Sequence, residues 1–201
     1  MHPLISHHLA VLRNTETSPA RFRATCRILA ALLVPEATKH LPTVDKTVET
    51  PNGPTSAQVL AKPVVLVPIL RAGLALLDGF LDFLPEATVA HIGLSRDEET
   101  LQPTTYYQNI PKNLAESTVL VLDPMLATGG SASDTLTCLK ENGAHDLHFV
   151  CLLAAPEGLA QLQKDHPDVP VTTGSVEERL DHRGFILPGL GDAGDRAFGT
   201  L

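Results

Sequence analysis

The residues with the most chemistry in them stand where an apolar run ends. Thr118-Val119-Leu120-Val121-Leu122 leads into Asp123, then Pro124-Met125-Leu126-Ala127, then Thr128-Gly129-Gly130-Ser131. The run itself reads as a buried strand of a parallel sheet. The glycines let backbone N–H groups approach an anion, the hydroxyls of Thr128 and Ser131 donate to it, and a following helix N-terminus adds positive potential. Asp123, at the strand end, is placed to accept hydrogen bonds from sugar hydroxyls. A phosphate on the loop and hydroxyls on the acid together describe a ribose 5-phosphate. No Gly-Lys-Ser/Thr closes the loop, so it is not of the Walker type and nucleoside-triphosphate hydrolysis is not expected. Taken alone, Thr-Gly-Gly fits a plain strand-to-helix turn equally well.

Two arginines change that balance. Val64 to Val67 reads as a strand, and Pro68-Ile69-Leu70-Arg71-Ala72-Gly73 follows it; Val89 to Leu94 reads as another, and Ser95-Arg96 follows that. Open α/β sheets place ligand groups at such strand ends. The formal net charge is −8 over 201 residues, which argues against a broad footprint for nucleic acid. A negative protein that binds a strongly anionic ligand must concentrate its cations at the site. Arg71 and Arg96 therefore point to a second anion site, although each can also snorkel to solvent.

Positioning these groups requires strands alternating with helices. Ser18-Pro19 starts a packing helix that carries Phe22, Cys26, Leu29, Ala30 and Leu33 and is expected to stop at Pro35. Residues 42–62 alternate around Asn52-Gly53 and read as a β-hairpin arm. A lone hairpin is marginal in water, so the arm is expected to lean on the body or on a second subunit, giving a homodimer or higher oligomer. Helices are predicted over about 73–83 and 132–142, and Ala154 to Gly158 leads into another that ends at about Lys164, with further strands at 148–153 and 169–173. Residues 101–117, with Pro103, Tyr106, Tyr107, Asn109 and Pro111, show no clear period and suit a mobile cover or a surface loop. The fold class is α/β: one domain over 1–201, with a mostly parallel central sheet flanked by helices on both faces.

The hydrophobic fraction of 43% suits a proper core. No apolar run approaches the ~20 residues needed to cross a bilayer. Met1-His2-Pro3-Leu4 has no basic segment followed by an apolar one, so no secretory signal and a cytoplasmic location are expected. Cys26, Cys138 and Cys151 are widely separated; Cys138 and Cys151 sit in apolar elements and read as packing residues. Of nine histidines only His145 and His148 have metal-like spacing, and no third ligand lies near, so no protein metal site is expected.

Gly189, Gly191 and Gly194 match the dinucleotide fingerprint literally. No strand leads into them and no second strand with an acid follows, so a nicotinamide or flavin cofactor is rejected. Glycines this dense point instead to a backbone wrapped closely around a small flat ligand.

Together these stretches resemble the uracil phosphoribosyltransferase family, of the type I phosphoribosyltransferases, nearly end to end. The resemblance rests on His2-Pro3-Leu4, the stretch Pro68 to Gly73, Arg96-Asp97-Glu98-Glu99-Thr100, Asp123 to Ser131, Ala154 to Gly158, and Pro188 to Arg196 with Phe198-Gly199-Thr200. It implies transfer of ribose 5-phosphate from phosphoribosyl diphosphate (PRPP) to N1 of uracil, giving UMP. It implies that Asp123, Pro124, Met125, Leu126, Ala127, Thr128, Gly129, Gly130 and Ser131 hold the ribose 5-phosphate. Arg71 and Arg96 would hold the diphosphate, and Ile186, Gly191, Asp192 and Ala193 the uracil. Asp192 would also face PRPP and its magnesium, which rides on the diphosphate; Arg71, Asp123 and Asp192 would be catalytic, and 174–201 the base-binding segment. Some relatives respond to a GTP effector, and the residues here do not decide that. Phe185 stands where the family commonly has tyrosine, and Ser95 and Pro35 replace residues that are often aromatic. Two rival readings remain: an RNA-binding regulator on the same fold, against which the net charge speaks, and a phosphoribosyltransferase for another base.

Overall fold

The structure, a computed structural model, describes residues 2–96 and 103–200. Two helices open the chain, α1 (Pro3–Arg13) and α2 (Pro19–Thr38). Ser18 caps α2 by accepting a hydrogen bond from the Arg21 N–H, and Pro19 fills a first-turn position that needs no donor. The predicted stop at Pro35 is not observed. Pro35 faces solvent while Val34 and Ala37 are buried, so packing of the last turn outweighs one missing backbone bond.

The expected hairpin is present as β1 (Thr43–Thr50) and β2 (Gly53–Leu60), in register from Thr43–Leu60 to Thr50–Gly53. Next come β3 (Val64–Pro68), α3 (Leu74–Leu81), β4 (Thr88–Val89), β5 (His91–Arg96) and β6 (Pro103–Asn109). The predicted strand over 89–94 is thus split: β4 joins the main sheet, and β5 pairs antiparallel with β6 in a separate ribbon. A strand also replaces the expected irregular segment from Pro103 onward. Thr104, Thr105, Tyr106 and Tyr107 are of β-favouring types, and Pro103 takes the first strand position, where its missing donor is tolerated.

The rest of the chain supplies β7 (Thr118–Leu122), β8 (Met125–Leu126), α4 (Gly130–Glu141), β9 (Asp146–Ala154), α5 (Pro156–Asp165) and β10 (Val171–Val176). The C-terminal segment adds β11 (Arg179–Leu180), β12 (Ile186–Leu187) and α6 (Ala193–Phe198). β10, β9, β7, β3 and β4 lie side by side in that order, all parallel, and β8 continues beyond β7 along β9.

Alternate residues of the central strands face opposite layers. Val64, Leu66, Leu120, Leu122, Val150 and Leu152 pack with α1, α2 and α3. Val65, Val67, Val119, Val121, Phe149 and Cys151 pack with α4 and α5. His148 also serves packing: its Nε2 shares a hydrogen bond with Thr172 at 2.8 Å, and its ring stacks on His40 with centroids 4.7 Å apart. Among the described residues no helix is long and apolar enough to cross a membrane, and no group of three potential metal ligands occurs.

The order has one functional consequence. Chain direction across the sheet reverses between β3 and β7, and a crevice opens beyond the carboxyl ends of strands at such a switch point. Arg71 follows β3 and Asp123 follows β7, so the two groups singled out from sequence flank that crevice.

Candidate functional site

The strand that leads to Asp123 is interrupted rather than ended. The Asp123 N–H still donates to the Val150 carbonyl at 3.1 Å, and the Pro124 carbonyl accepts from both Leu152 and Leu153 N–H groups at 3.0 Å. β8 then resumes pairing with β9. The break turns the Asp123 side chain into the crevice, where its Oδ1 accepts a hydrogen bond from the Met125 N–H at 3.3 Å. Part of the carboxyl faces the cavity, but protein surrounds the rest closely. Burial pushes its pKa up to about 7; the Met125 N–H opposes the shift and the nearby charge of Asp192 adds to it.

Beyond β8 the loop meets α4, whose N-cap is Gly129 with φ +86°. A Cβ there would stand 3.0 Å from the Gly158 carbonyl oxygen, and one on Gly158 would stand 2.7 Å from the Leu126 carbonyl oxygen. Two glycines thus let the α5 N-terminus seat directly against the loop. Met125 to Ser131, Ala132 and Asp123 line a hollow of about 80 Å3.

Opposite stands the C-terminal segment. Asp181 holds the turn between β11 and β12, its Oδ1 accepting from the Arg183 and Phe185 N–H groups at 2.8 Å. Asp192 caps α6 by accepting from the Asp195 N–H at 2.9 Å. A cavity of about 220 Å3 separates Asp123, Met125 and Ala127 from Phe185, Ile186, Gly191, Asp192 and Ala193. Asp123, Met125 and Ala127 line both spaces, so the phosphate-type hollow and the cavity lie side by side along one wall. A Cβ on Gly184 would lie 3.6 Å from the Thr128 methyl, which shows how closely the segment approaches the loop.

Arg71 adjoins the same cavity through its neighbour Ala72. Its Nη2 donates to Asp195 Oδ1 at 2.9 Å and its Nη1 to Thr200 Oγ1 at 3.1 Å. Gly73 closes the turn after it, because a Cβ there would overlap the Leu122 carbonyl oxygen. Arg96 ends β5 opposite Pro103; its side chain and residues Asp97 to Thr100 lie outside the described residues. Asp123, Met125 to Ser131, Ile186, Gly191, Asp192 and Ala193 line the crevice, Arg71 flanks it beside Ala72, and Pro124 lines neither space, its carbonyl being taken up by β9.

Several residues that sequence reasoning missed hold the C-terminal segment in place. Arg13 donates to both carboxylate oxygens of buried Glu177 at 2.7 and 2.8 Å, and to the Gly189 carbonyl at 2.9 Å. The hydrogen bonds from Arg13 hold the Glu177 carboxyl below its ordinary range. Arg196 donates to the carbonyls of Leu12, Leu190 and Asn14 while its guanidinium lies over the Phe22 ring. Glu157 accepts from the Leu180 N–H at 3.0 Å. Arg13 and Glu177 are 164 positions apart, and nothing local marks either as a partner.

A purine phosphoribosyltransferase from Pyrococcus horikoshii superposes with a TM-score of 0.53 at 16% identity, over 77% of this chain and 84% of that one. The architecture is therefore the type I phosphoribosyltransferase fold. Far nearer is the AQ2163 protein of Aquifex aeolicus, with a TM-score of 0.92 and 40% identity over 98% of this chain and 95% of its own. The uracil phosphoribosyltransferase of Acholeplasma laidlawii is 51% identical over 199 residues, 99% of this chain and 96% of its own length. The family model for uracil phosphoribosyltransferase matches residues 1–200, and the chain belongs to that family.

Proposed function

We infer that the protein is a uracil phosphoribosyltransferase, moving ribose 5-phosphate from PRPP to N1 of uracil and releasing diphosphate and UMP. The observation that carries this reading is that two adjacent spaces share Asp123, one walled by the glycine loop and one by Ile186 and Gly191 to Ala193. The first suits a phosphate with its ribose, the second a flat base.

In this reading the N–H groups of the loop and the hydroxyls of Thr128 and Ser131 hold the 5-phosphate at the N-terminus of α4. Asp123 accepts hydrogen bonds from the ribose hydroxyls. Displacement at the anomeric carbon builds positive charge on the sugar and negative charge on the departing diphosphate. Arg71 and Arg96 meet that negative charge, and a guanidinium fork grips phosphate oxygens in pairs. Uracil offers acceptor, donor and acceptor along O4, N3–H and O2, which backbone groups around Gly191 to Ala193 complement. No histidine or lysine lines the cavity among the described residues, so positioning and electrostatics carry the reaction.

Magnesium suits the donors present. Asp123 and Asp192 offer hard carboxylate oxygens at one cavity, near enough for the charge of Asp192 to raise the Asp123 pKa. Asp192 would face an ion bound with the diphosphate, which would supply positive charge to the leaving group.

The arm supports a homodimer. Val44 and Leu60 on β1 and β2 are 48% and 45% exposed, and Phe83 beside the arm's base is 56% exposed. A two-stranded ribbon with so little cover is marginal alone, and a second copy supplies that cover. Light scattering at micromolar concentration should give twice the chain mass; a monomer would refute the assignment. The activity itself is tested by incubating protein, magnesium, PRPP and a panel of bases. UMP formation from uracil alone is expected, and turnover of a purine base instead would overturn the reading.

A further inference from the structure

Arg71 is long, and its side chain is 55% exposed. Left to itself such a group occupies many rotamers, and ordering it on a ligand costs binding energy. Here it is already ordered. Asp195 Oδ1 accepts from Arg71 Nη2 at 2.9 Å and from Thr200 Oγ1 at 2.6 Å, while Thr200 Oγ1 accepts from Arg71 Nη1 at 3.1 Å. These contacts use one N–H on each terminal nitrogen. Among the described residues, Nε–H and the second N–H of each make no further hydrogen bond and can meet an anion. The anchor stands in α6, where the Asp195 N–H also donates to Asp192 Oδ1. One short helix thus caps the base side of the cavity through its backbone and grips the arginine through a side chain.

We propose that Asp195, assisted by Thr200, is a positioning residue that pre-orients the Arg71 guanidinium for the diphosphate of PRPP. The inference rests on the assignment of Arg71 to the diphosphate made above. Asp195 acts through Arg71 and touches no substrate. Among the described residues its side chain hydrogen-bonds Arg71, Thr200 and no other group, and replacing it leaves the backbone donor to Asp192 intact. The effect is therefore selective: affinity for PRPP changes and affinity for uracil does not.

The pair is solvent-exposed, with Asp195 at 31%, so it contributes little to stability and substitutions there fold. The test is steady-state kinetics with PRPP and uracil for wild type, Asp195→Asn, Asp195→Glu, Arg71→Ala and the double variant Arg71→Ala/Asp195→Asn, with melting temperatures alongside. Asp195→Asn should raise KM for PRPP about tenfold, the factor set by ordering one long side chain on binding, with KM for uracil and the melting temperature unchanged. Asp195→Glu should recover part of the loss. In the Arg71→Ala background the Asn substitution should have no further effect, as expected for groups acting in series. A lowered KM for PRPP in Asp195→Asn would make Asp195 a competitor for Arg71 and overturn the proposal. Equal rises in both KM values, or additive losses in the double variant, would also overturn it. An inactive wild type would instead refute the uracil phosphoribosyltransferase reading, and this inference with it.

Discussion

Asp123→Asn tests whether the acid at the strand end is held ready for a ligand at a cost to the empty protein. The carboxyl has an ordinary value of 3.8 and stands here at about 7. At 1.36 kcal/mol per tenfold, that gap corresponds to about 4 kcal/mol against the charged form. Hydration from the open cavity side lowers this, so roughly 2–4 kcal/mol is the expected range. The sign follows from linkage. Below about pH 4 the group is neutral in both folded and unfolded states and carries no penalty. Between about pH 4 and 7 the folded protein holds a proton that the unfolded chain has lost, so stability falls as pH rises, and above pH 7 the penalty is constant. Asparagine has the same shape, still accepts from the Met125 N–H and never charges. Urea unfolding should therefore show Asp123→Asn more stable than wild type by about 2–4 kcal/mol at pH 8, with a clearly smaller gain at pH 5. Its turnover should fall by on the order of 100-fold or more, through lost ribose contacts. A variant less stable than wild type at pH 8, or equally active, would refute the reasoning.

Arg71→Ala should lower kcat/KM by on the order of 100- to 1,000-fold with an unchanged circular dichroism spectrum, because the residue lies beyond β3 and not in the core; near-normal rates would show the site misplaced. Arg13→Ala strands the Glu177 carboxylate, whose side chain is only 3% exposed, and should destabilise the fold by roughly 3 kcal/mol in urea unfolding. In the wild type that pair's contribution is present above the ordinary carboxylate value and lost as pH falls through the depressed one, so the Arg13→Ala deficit should shrink in acid. Cytosine inverts two of uracil's three edge groups and would leave buried polar atoms unpaired, so its turnover should be lower by on the order of 10⁴; comparable rates would refute backbone readout of the base.

The parts of the site that could be read from sequence are those carried by short contiguous stretches. Asp123 to Ser131 combine strand end, acid and glycine loop in nine residues, and backbone geometry follows from residue type over that span. Arg71 is equally local. What could not be read are arrangements fixed by long-range packing. The clamp of Arg13 on Glu177, the reach of Arg196 back to Leu12 and Asn14, and the anchoring of Arg71 on Asp195 join positions more than 120 apart. Pro35 illustrates a different failure, since buried neighbours on one helix face overrode a local breaker. The ribbon of β5 and β6 was hidden because it stands apart from the central sheet, tied to it by an isolated bridge between Ile69 and Ile92, and the prolines near its ends mimic a loop. The switch point between β3 and β7 is a property of strand order, which no single stretch reveals.

The most direct test is a crystal structure with UMP bound. The account predicts the phosphate on the N–H groups of Thr128 to Ser131, the ribose hydroxyls against Asp123, and the uracil edge against Gly191 to Ala193. A nucleotide seated elsewhere, or turned so that its base lies in the glycine loop, would contradict it.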